Sequence, residues 1–195
     1  MSIFDLKRKR KHILCSLAGI TTAYALAEHD PSKQIILIDD GEICSGETGR
    51  TIAHLQIEYD DYYHVIEHMF GENNARLVCQ SNHEAVDFIE KTVRKENIDC
   101  EFERLPAYLI PCKDSHIKDL IDKEFKSASK AGMTVELIED SSKLPKYPID
   151  YPTSHWLRFP NQVQFHPLKY LYTLTQILTT KYKNLQIFTK SCFRN

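Results

Sequence analysis

The sequence predicts an α/β fold that opens with a strand, a helix and a second strand. Residues 12–17 form a short apolar run of strand length, and residues 18–28 are rich in small residues that favour a helix. Residues 34–38 (Gln-Ile-Ile-Leu-Ile) are continuous and β-branched, as in a strand buried on both faces. Together these three segments predict a βαβ unit, which is the start of a parallel sheet.

Helices and strands are predicted throughout the rest of the chain. A polar loop covers residues 41–51, and residues 101–111 predict two short strands that turn at Leu105-Pro106. A helix over residues 115–131 is expected to end at Gly132, before a strand over residues 134–138. Apolar residues at three- and four-residue spacing predict two earlier helices, one with Tyr59, Tyr62, Ile66 and Met69, the other with Ala75, Val78, Ala85, Ile89 and Val93.

The last third of the chain begins with an irregular, proline-containing connection over residues 140–153. Residues 156–165 predict one or two strands, and residues 185–188 a final strand. Pro167 is expected to open a helix at its favoured first position. One face of that helix carries Leu168, Leu171, Leu174 and Leu178.

The composition disfavours two classes of protein and predicts the cellular compartment. A net charge of −2 disfavours a generally basic nucleic-acid binder, and no apolar run is long enough for a membrane-spanning helix. The six cysteines stand singly, which is typical of reduced thiols and predicts a cytoplasmic protein. An alternative is a secretory signal: the basic block at residues 7–11, an apolar stretch and Ala25-Leu26-Ala27 resemble one. The more common interpretation of the block is a basic tail over residues 1–12.

The βαβ unit carries a partial dinucleotide-binding pattern. In the motif G-x-G-x-x-G the first two glycines admit a pyrophosphate, the third lets helix and strand pack, and an acidic residue about 20 positions later binds ribose. Gly19 fits the third position and Asp39 lies twenty residues later, but Leu14 and Ser16 occupy the first two. The spacing alone leaves two interpretations open: a nucleotide site, or an ordinary βαβ unit in which Gly19 serves packing and Asp39 caps a turn.

Longer motifs resemble one flavoprotein family, the FAD-dependent oxidoreductases of the glycine/D-amino-acid oxidase type. Within it, the chain is most similar to the subset whose flavin domain precedes a C-terminal Rieske iron–sulfur domain. The resemblance runs from about residue 13 to residue 189. The matching segments are residues 19–27, Ile38-Asp39, residues 45–51 (Ser-Gly-Glu-Thr-Gly-Arg-Thr), residues 53–55, 60–64 and 102–104 with Tyr108, residues 158–162 (Arg-Phe-Pro-Asn-Gln) and 164–167 (Gln-Phe-His-Pro).

This resemblance implies a Rossmann-like FAD-binding βαβ start and a partial α+β substrate domain. Residues 13–58 would begin the FAD-binding domain, 59–166 would be part of the substrate domain, and 167–195 would return to the first. The implied reaction moves a hydride from a C–N bond of a small amine or amino acid to flavin. The implied cofactor-binding residues are Gly19, Asp39, Asp40, Gly46, Thr48, Gly49, Arg50 and Thr51.

Three departures from the family pattern set further expectations. Leu14 and Ser16 replace glycines, and the chain reaches Asn195 before the segments that complete the family's substrate sheet. The expectation is therefore a truncated or altered copy that holds FAD weakly, with no identified catalytic residue. The alternative is a non-catalytic remnant that keeps the fold without FAD. No nucleic-acid or membrane partner is expected, and the oligomeric state is open.

Other candidate residues each have a structural and a functional interpretation. His64, Glu67 and His68 match H-x-x-E-H, a zinc-hydrolase signature, but the same spacing also places two histidines on one solvated helix face; no metal site is predicted. His166 either contacts a ligand or satisfies the amides of the following helix, which is the favoured interpretation. Side chains that either line a pocket or pack in the core are those of Tyr108, Trp156 and Phe159.

Overall fold

The structure is a computed structural model that describes residues 11–14, 16–58, 61–110, 117–140 and 155–191. Residues 1–10 of the predicted basic tail and most of the predicted connection over residues 140–153 lie outside these ranges. The chain divides into two compact units. Unit 1 contains Met1–Ala53, Val93–Glu101 and Phe165–Asn195, and unit 2 contains His54–Thr92 and Phe102–Gln164. None of the helices in the described ranges has both the length and the apolar character that crossing a membrane requires.

Unit 1 is built on a parallel sheet of three strands in the order β1-β2-β7. The strands are β1 (Lys11–Leu14), β2 (Ile35–Ile38) and β7 (Leu185–Phe188), and the helices are α1 (Leu17–His29) and α5 (Pro167–Lys181). Lys11 pairs with Ile35, which pairs with Leu185 on the other side. The predicted βαβ unit is therefore confirmed, as is the α/β class.

The apolar pattern of unit 1 explains its packing. β2 is buried on both faces at Ile35, Ile36 and Leu37, as expected for a central parallel strand. The buried stripe of α1 combines alanines with two larger side chains. That stripe contains Ile20, Ala23, Tyr24 and Ala27, and the stripe of α5 contains Leu171, Leu174 and Leu178, with Leu168 half-buried.

Unit 2 combines three helices with an antiparallel sheet. The helices are α2 (Tyr63–Phe70), α3 (Glu72–Lys95, whose last three residues count with unit 1) and α4 (Ile117–Ala131). The strands are β3 (His54–Leu55), β4 (Glu103–Leu109), β5 (Glu136–Ile138) and β6 (Trp156–Gln164). β6 pairs with β3, β4 and β5. α4 ends before Gly132, which has φ +96°, as the sequence predicts.

The prediction of two strands over residues 101–111 is wrong, because β4 is one strand. Its pairing with β6 shifts register between Leu105 and Ala107, opposite Pro160 and Asn161. A bulge at this point needs no ladder donor from Pro106, which has no backbone N–H to offer. Asn161 takes φ +66° there. The proline therefore marks an irregularity within a strand and not a turn.

The predicted apolar faces of α2 and α3 are partly wrong. Met69 is 64% exposed, and Ala85 is also exposed. The residues that α2 buries are Tyr63 and Ile66, and those of α3 are Ala75, Cys79, Val86, Ile89, Thr92 and Val93. α2 begins at Tyr63, so Tyr62 precedes the helix as its N-cap residue, and Tyr59 lies outside the described residues.

Candidate functional site

The candidate site lies at the carboxyl edge of the parallel sheet in unit 1. Because β1, β2 and β7 are parallel, the chain leaves all three strands at the same edge. Beyond the strands, the Lys190 amide donates to the Gly41 carbonyl at 3.1 Å and the Ser191 amide donates to the Asp39 carbonyl at 2.9 Å. These bonds hold the segment after β2 against the segment after β7.

The start of α1 lies at this edge. Ser16 is the N-cap residue, with extended backbone (φ −114°, ψ −179°), and its Oγ accepts a hydrogen bond from the Gly19 amide at 3.3 Å. The Ser16 carbonyl accepts from the Ile20 amide at 2.9 Å. The first-turn amides of Leu17 and Ala18 have no acceptor within the helix. Gly19 itself is buried, in keeping with a packing role.

Asp39 and Asp40 follow β2 directly, at the same edge. Asp39 is half-buried, and its Oδ1 accepts from the Gly41 amide at 2.9 Å. This bond is the turn cap that the structural interpretation of Asp39 describes. Its other oxygen, Oδ2, accepts no hydrogen bond from the residues that the structure describes. Asp40 is exposed.

The predicted loop from Gly46 to Thr51 contains a short 3-10 helix, Glu47–Arg50. A Cβ on Gly49 would lie 2.9 Å from the Cys44 carbonyl oxygen, so the loop's own backbone requires glycine there. A Cβ on Gly46 would meet no atom within 4 Å, and the φ of −79° at this position suits any residue. The fold therefore explains Gly49 but leaves open space beside Gly46.

The other predicted residues of this loop have local partners. Arg50 is exposed and its Nη1 donates to Glu47 Oε1 at 3.0 Å. The Thr51 hydroxyl accepts from the Ala53 amide at 3.3 Å, and Thr48 is half-buried. Arg50, Thr48 and Thr51 all belong to unit 1, like Gly19 and Asp39. The edge thus offers amide donors suited to an anion and a carboxylate oxygen suited to hydroxyl groups.

Sequence reasoning missed two residues that shape this edge. Cys44 is buried with φ +62°, and burial, followed by the charge of Asp39, raises the pKa of its thiol. Its carbonyl is the group that excludes a side chain at Gly49. Ser16 stands in the sequence as a replacement for a glycine of the motif, but a serine directly before a helix is also a common N-cap signal.

Comparison with known proteins identifies the family. The model of the family described as DAO, FAD dependent oxidoreductase, matches residues 17–187. The chain belongs to this family. It is 33% identical over 165 residues to a protein of Bacillus subtilis (strain 168) that carries the name Rieske 2Fe-2S iron-sulfur protein YhfW, covering 85% of this chain and 31% of that protein.

Solved structures of this oxidoreductase family share the fold. The L-proline dehydrogenase from P. horikoshii matches with a TM-score of 0.72 and 15% identity, over 96% of this chain and 46% of that one. The glycine oxidase from Geobacillus kaustophilus matches with a TM-score of 0.67 and 12% identity, over 93% and 47%. The chain therefore spans from about a third to about half of the relatives it matches.

His166, in the last family motif, has a structural role. It is the N-cap residue of α5, and its Nδ1 accepts from the Lys169 amide at 3.3 Å. Its own amide donates to the Cys100 carbonyl at 2.7 Å. Pro167 opens the helix as predicted. The favoured interpretation of His166, that it satisfies helix amides, describes these contacts.

The aromatic candidates of unit 2 belong to its packing. Trp156 and Phe159 are both buried, as expected of core residues. The ring of Tyr108 meets that of Trp156 edge to face, with centroids 6.5 Å apart. The same strand region holds Gln162, whose buried Oε1 accepts from the Ile57 amide at 2.6 Å. The motif that contains Gln162 therefore ties residue 57 to β6.

Two residues of the H-x-x-E-H segment, His64 and Glu67, contact α4. His64 Nδ1 lies 2.8 Å from Glu124 Oε2, and Glu67 accepts from Ser127 Oγ and from Lys130 Nζ, the latter at 2.9 Å. These pairs form a polar seam between α2 and α4. Within the described ranges, no group of three or more His, Cys, Asp or Glu side chains could hold a metal ion. The expectation that both histidines lie on a solvated face is wrong for His64, which is half-buried against Glu124.

This seam predicts a pH dependence of the stability of unit 2. The hydrogen bond from Ser127 and then the contact with Lys130 lower the pKa of Glu67. A carboxylate with a lowered pKa stabilises the fold above its unfolded pKa of about 4.3, and that stability is lost as the pH falls through the folded value. Replacing Glu67 with glutamine is expected to reduce the loss of stability between pH 6 and pH 3.

The measurement is urea unfolding followed by the fluorescence of Trp156, the only tryptophan, which is buried in unit 2. Ser127→Ala removes the main cause of the lowered pKa of Glu67, so it is also expected to reduce the loss of stability between pH 6 and pH 3, though by less than Glu67→Gln does. An unchanged pH profile in Glu67→Gln would contradict the prediction.

Proposed function

We propose that this chain binds FAD at the carboxyl edge of its unit 1 sheet and forms part of an oxidoreductase of the amino-acid or amine oxidase type. The supporting observation is that the start of α1, Asp39 and the loop from Gly46 to Thr51 all belong to the unit whose parallel strands end at that edge. Bound FAD would supply the chemistry by accepting a hydride from a C–N bond. The chain's own residues would bind and orient it.

The residues at the edge suit the adenosine half of FAD. Asp39 uses one carboxylate oxygen in the turn with Gly41, and the other accepts no hydrogen bond from the described residues, so it would be open to a ligand donor. A carboxylate at the end of the second strand of a βαβ unit is well placed to accept from ribose hydroxyls. Asp40 is exposed beside it and would be the weaker neighbour.

The loop suits the pyrophosphate and ribityl region. Gly46 is exposed and the packing of the described residues does not require glycine there, whereas a ligand that approaches the backbone closely would. The exposed Arg50 guanidinium can add a hydrogen bond to a phosphate oxygen, since only Nη1 donates to Glu47. Thr48 and Thr51 would contribute small polar side chains in the same loop.

The proposal predicts that Asp39→Asn weakens FAD binding by about tenfold or more, because a hydrogen bond to a charged acceptor is worth about 1.5–3 kcal/mol. Asparagine keeps the Oδ1 acceptor for the Gly41 amide, so the turn remains. Titration of the purified chain with FAD, followed by quenching of flavin fluorescence, gives the dissociation constant.

A matched control is Asp30→Asn. Asp30 makes the same kind of turn, with its Oδ1 accepting from the Ser32 amide at 3.1 Å, but it precedes β2 and so lies at the opposite edge of the sheet. If Asp39 only caps a turn, the two substitutions affect FAD binding equally. If the wild type binds no FAD at all, the alternative of a non-catalytic remnant that keeps the fold gains support.

The substrate class follows from the same proposal. The glycine oxidase and the L-proline dehydrogenase that share the fold have names that point to amino acids, so we propose a small amine or amino acid as substrate. Residues 59–166 would form part of the substrate domain, with residues 13–58 and 167–195 in the FAD-binding domain. We also propose a cytoplasmic location, which is supported by the buried thiols of Cys44 and Cys79, neither of which forms a disulfide.

A further inference from the structure

We infer that the Ser16 hydroxyl caps α1 in the place where the pyrophosphate of FAD would bind, so that Ser16 sets how tightly this chain holds the cofactor. The inference rests on the proposed function. Ser16 stands where dinucleotide sites have their second glycine, and this difference is expected to lower the affinity for FAD.

The geometry at Ser16 carries the inference. The second glycine of the dinucleotide motif leaves the end of the helix bare, so that phosphate oxygens reach the first-turn amides. Here Ser16 Oγ lies 3.3 Å from the Gly19 amide nitrogen and takes the hydrogen bond that this amide donates. One of the amides that a phosphate would use is therefore already satisfied by the chain itself.

Ser16 is also the only side chain that caps this helix end among the described residues. α1 has no acidic residue in its first turn, and the Leu17 and Ala18 amides have no intrahelical acceptor. The backbone of Ser16 is extended, so glycine at this position would need no change of conformation. Removing the side chain would free the Gly19 amide and leave the helix start in place.

Two effects of the Ser16 side chain would oppose FAD. Its Oγ competes for the Gly19 amide, and its Cβ adds an atom where the motif has none. Ser16→Ala removes the first effect and keeps the second, whereas Ser16→Gly removes both. The affinity for FAD should therefore rise from the wild type through the alanine variant to the glycine variant.

The experiment measures dissociation constants of FAD, ADP and riboflavin for the wild type, Ser16→Ala and Ser16→Gly by calorimetric titration. Ser16→Gly is expected to bind FAD and ADP about tenfold more tightly, since a phosphate replaces a neutral cap by a charge-assisted bond. Riboflavin has no phosphate, so its affinity should be unchanged. Glycine is nearly as good an N-cap as serine, so unfolding without ligand should shift little.

Ser32→Gly is the matched control. Ser32 donates from its Oγ to Asp30 at the opposite edge of the sheet, and its replacement should not alter FAD or ADP binding. The inference is overturned if Ser16→Gly binds FAD and ADP no more tightly than the wild type, or if neither protein binds them. Binding by Ser16→Gly but not by the wild type would support the inference while refuting the proposed function of the natural chain.

Discussion

Replacing Glu124 with alanine is expected to lower the free energy of unfolding of unit 2 by about 3–5 kcal/mol, the largest effect of any substitution proposed here. Glu124 is 0% exposed, and its carboxylate accepts three hydrogen bonds from the start of α2. The Tyr63 amide donates to Oε1 at 2.8 Å, the His64 amide donates to Oε2 at 3.0 Å, and His64 Nδ1 lies 2.8 Å from Oε2.

The size of the effect follows from what the truncation leaves behind. The N-cap residue of α2, Tyr62, has φ +56° and makes no side-chain cap bond, so Glu124 of α4 serves as the cap. Alanine would leave the buried Tyr63 amide without an acceptor, which costs about 1–3 kcal/mol per group. It would also open a cavity between the two helices.

Urea unfolding followed by Trp156 fluorescence measures this loss. Glu84→Ala on α3 is the control, because Glu84 is exposed and, among the described residues, accepts only from Gln80 at 2.7 Å; its effect should stay within about 0.5 kcal/mol. If the alanine variant does not fold, Glu124→Gln keeps one acceptor oxygen and should show an intermediate loss. A change under about 1 kcal/mol in Glu124→Ala would contradict the prediction.

Gly49→Ala is expected to destabilise unit 1 by about 1–3 kcal/mol. The new Cβ would lie 2.9 Å from the Cys44 carbonyl oxygen, and because that atom belongs to the backbone, the loop must shift. Cys44 already has φ +62°, so its own conformation leaves little room for adjustment. Thermal unfolding followed by far-ultraviolet circular dichroism measures the change.

Gly46→Ala tests whether glycine at this position is required for the stability of the fold or for the binding of a ligand. Its Cβ would meet no atom within 4 Å, so the stability without ligand should change by less than about 0.5 kcal/mol. If the loop binds FAD as proposed, the same methyl group should weaken FAD binding by about tenfold while leaving the fold intact. Equal stability losses in both glycine variants would contradict the distinction between Gly46 and Gly49.

Local patterns predicted much of the fold because they depend only on neighbours in the chain. The strand Leu185–Phe188 has the predicted bounds, Gly132 follows the end of α4, and Pro167 opens α5. The continuous apolar run of β2 predicted burial on both faces, and Ile35, Ile36 and Leu37 are all buried. The family motifs around Gly46 and Gln162 were equally accessible, since they are runs of consecutive residues.

The sequence by itself therefore determined the α/β class, the βαβ start and the family of this protein. Tertiary structure alone decided that Glu124 caps α2 and that the Cys44 carbonyl excludes a side chain at Gly49. It also decided that His64 and Glu67 pair with Glu124 and Lys130 of α4. The physical reason is the same in each case: a polar group takes its role from the partner that packing brings to it, and that partner lies outside the local pattern that the sequence displays.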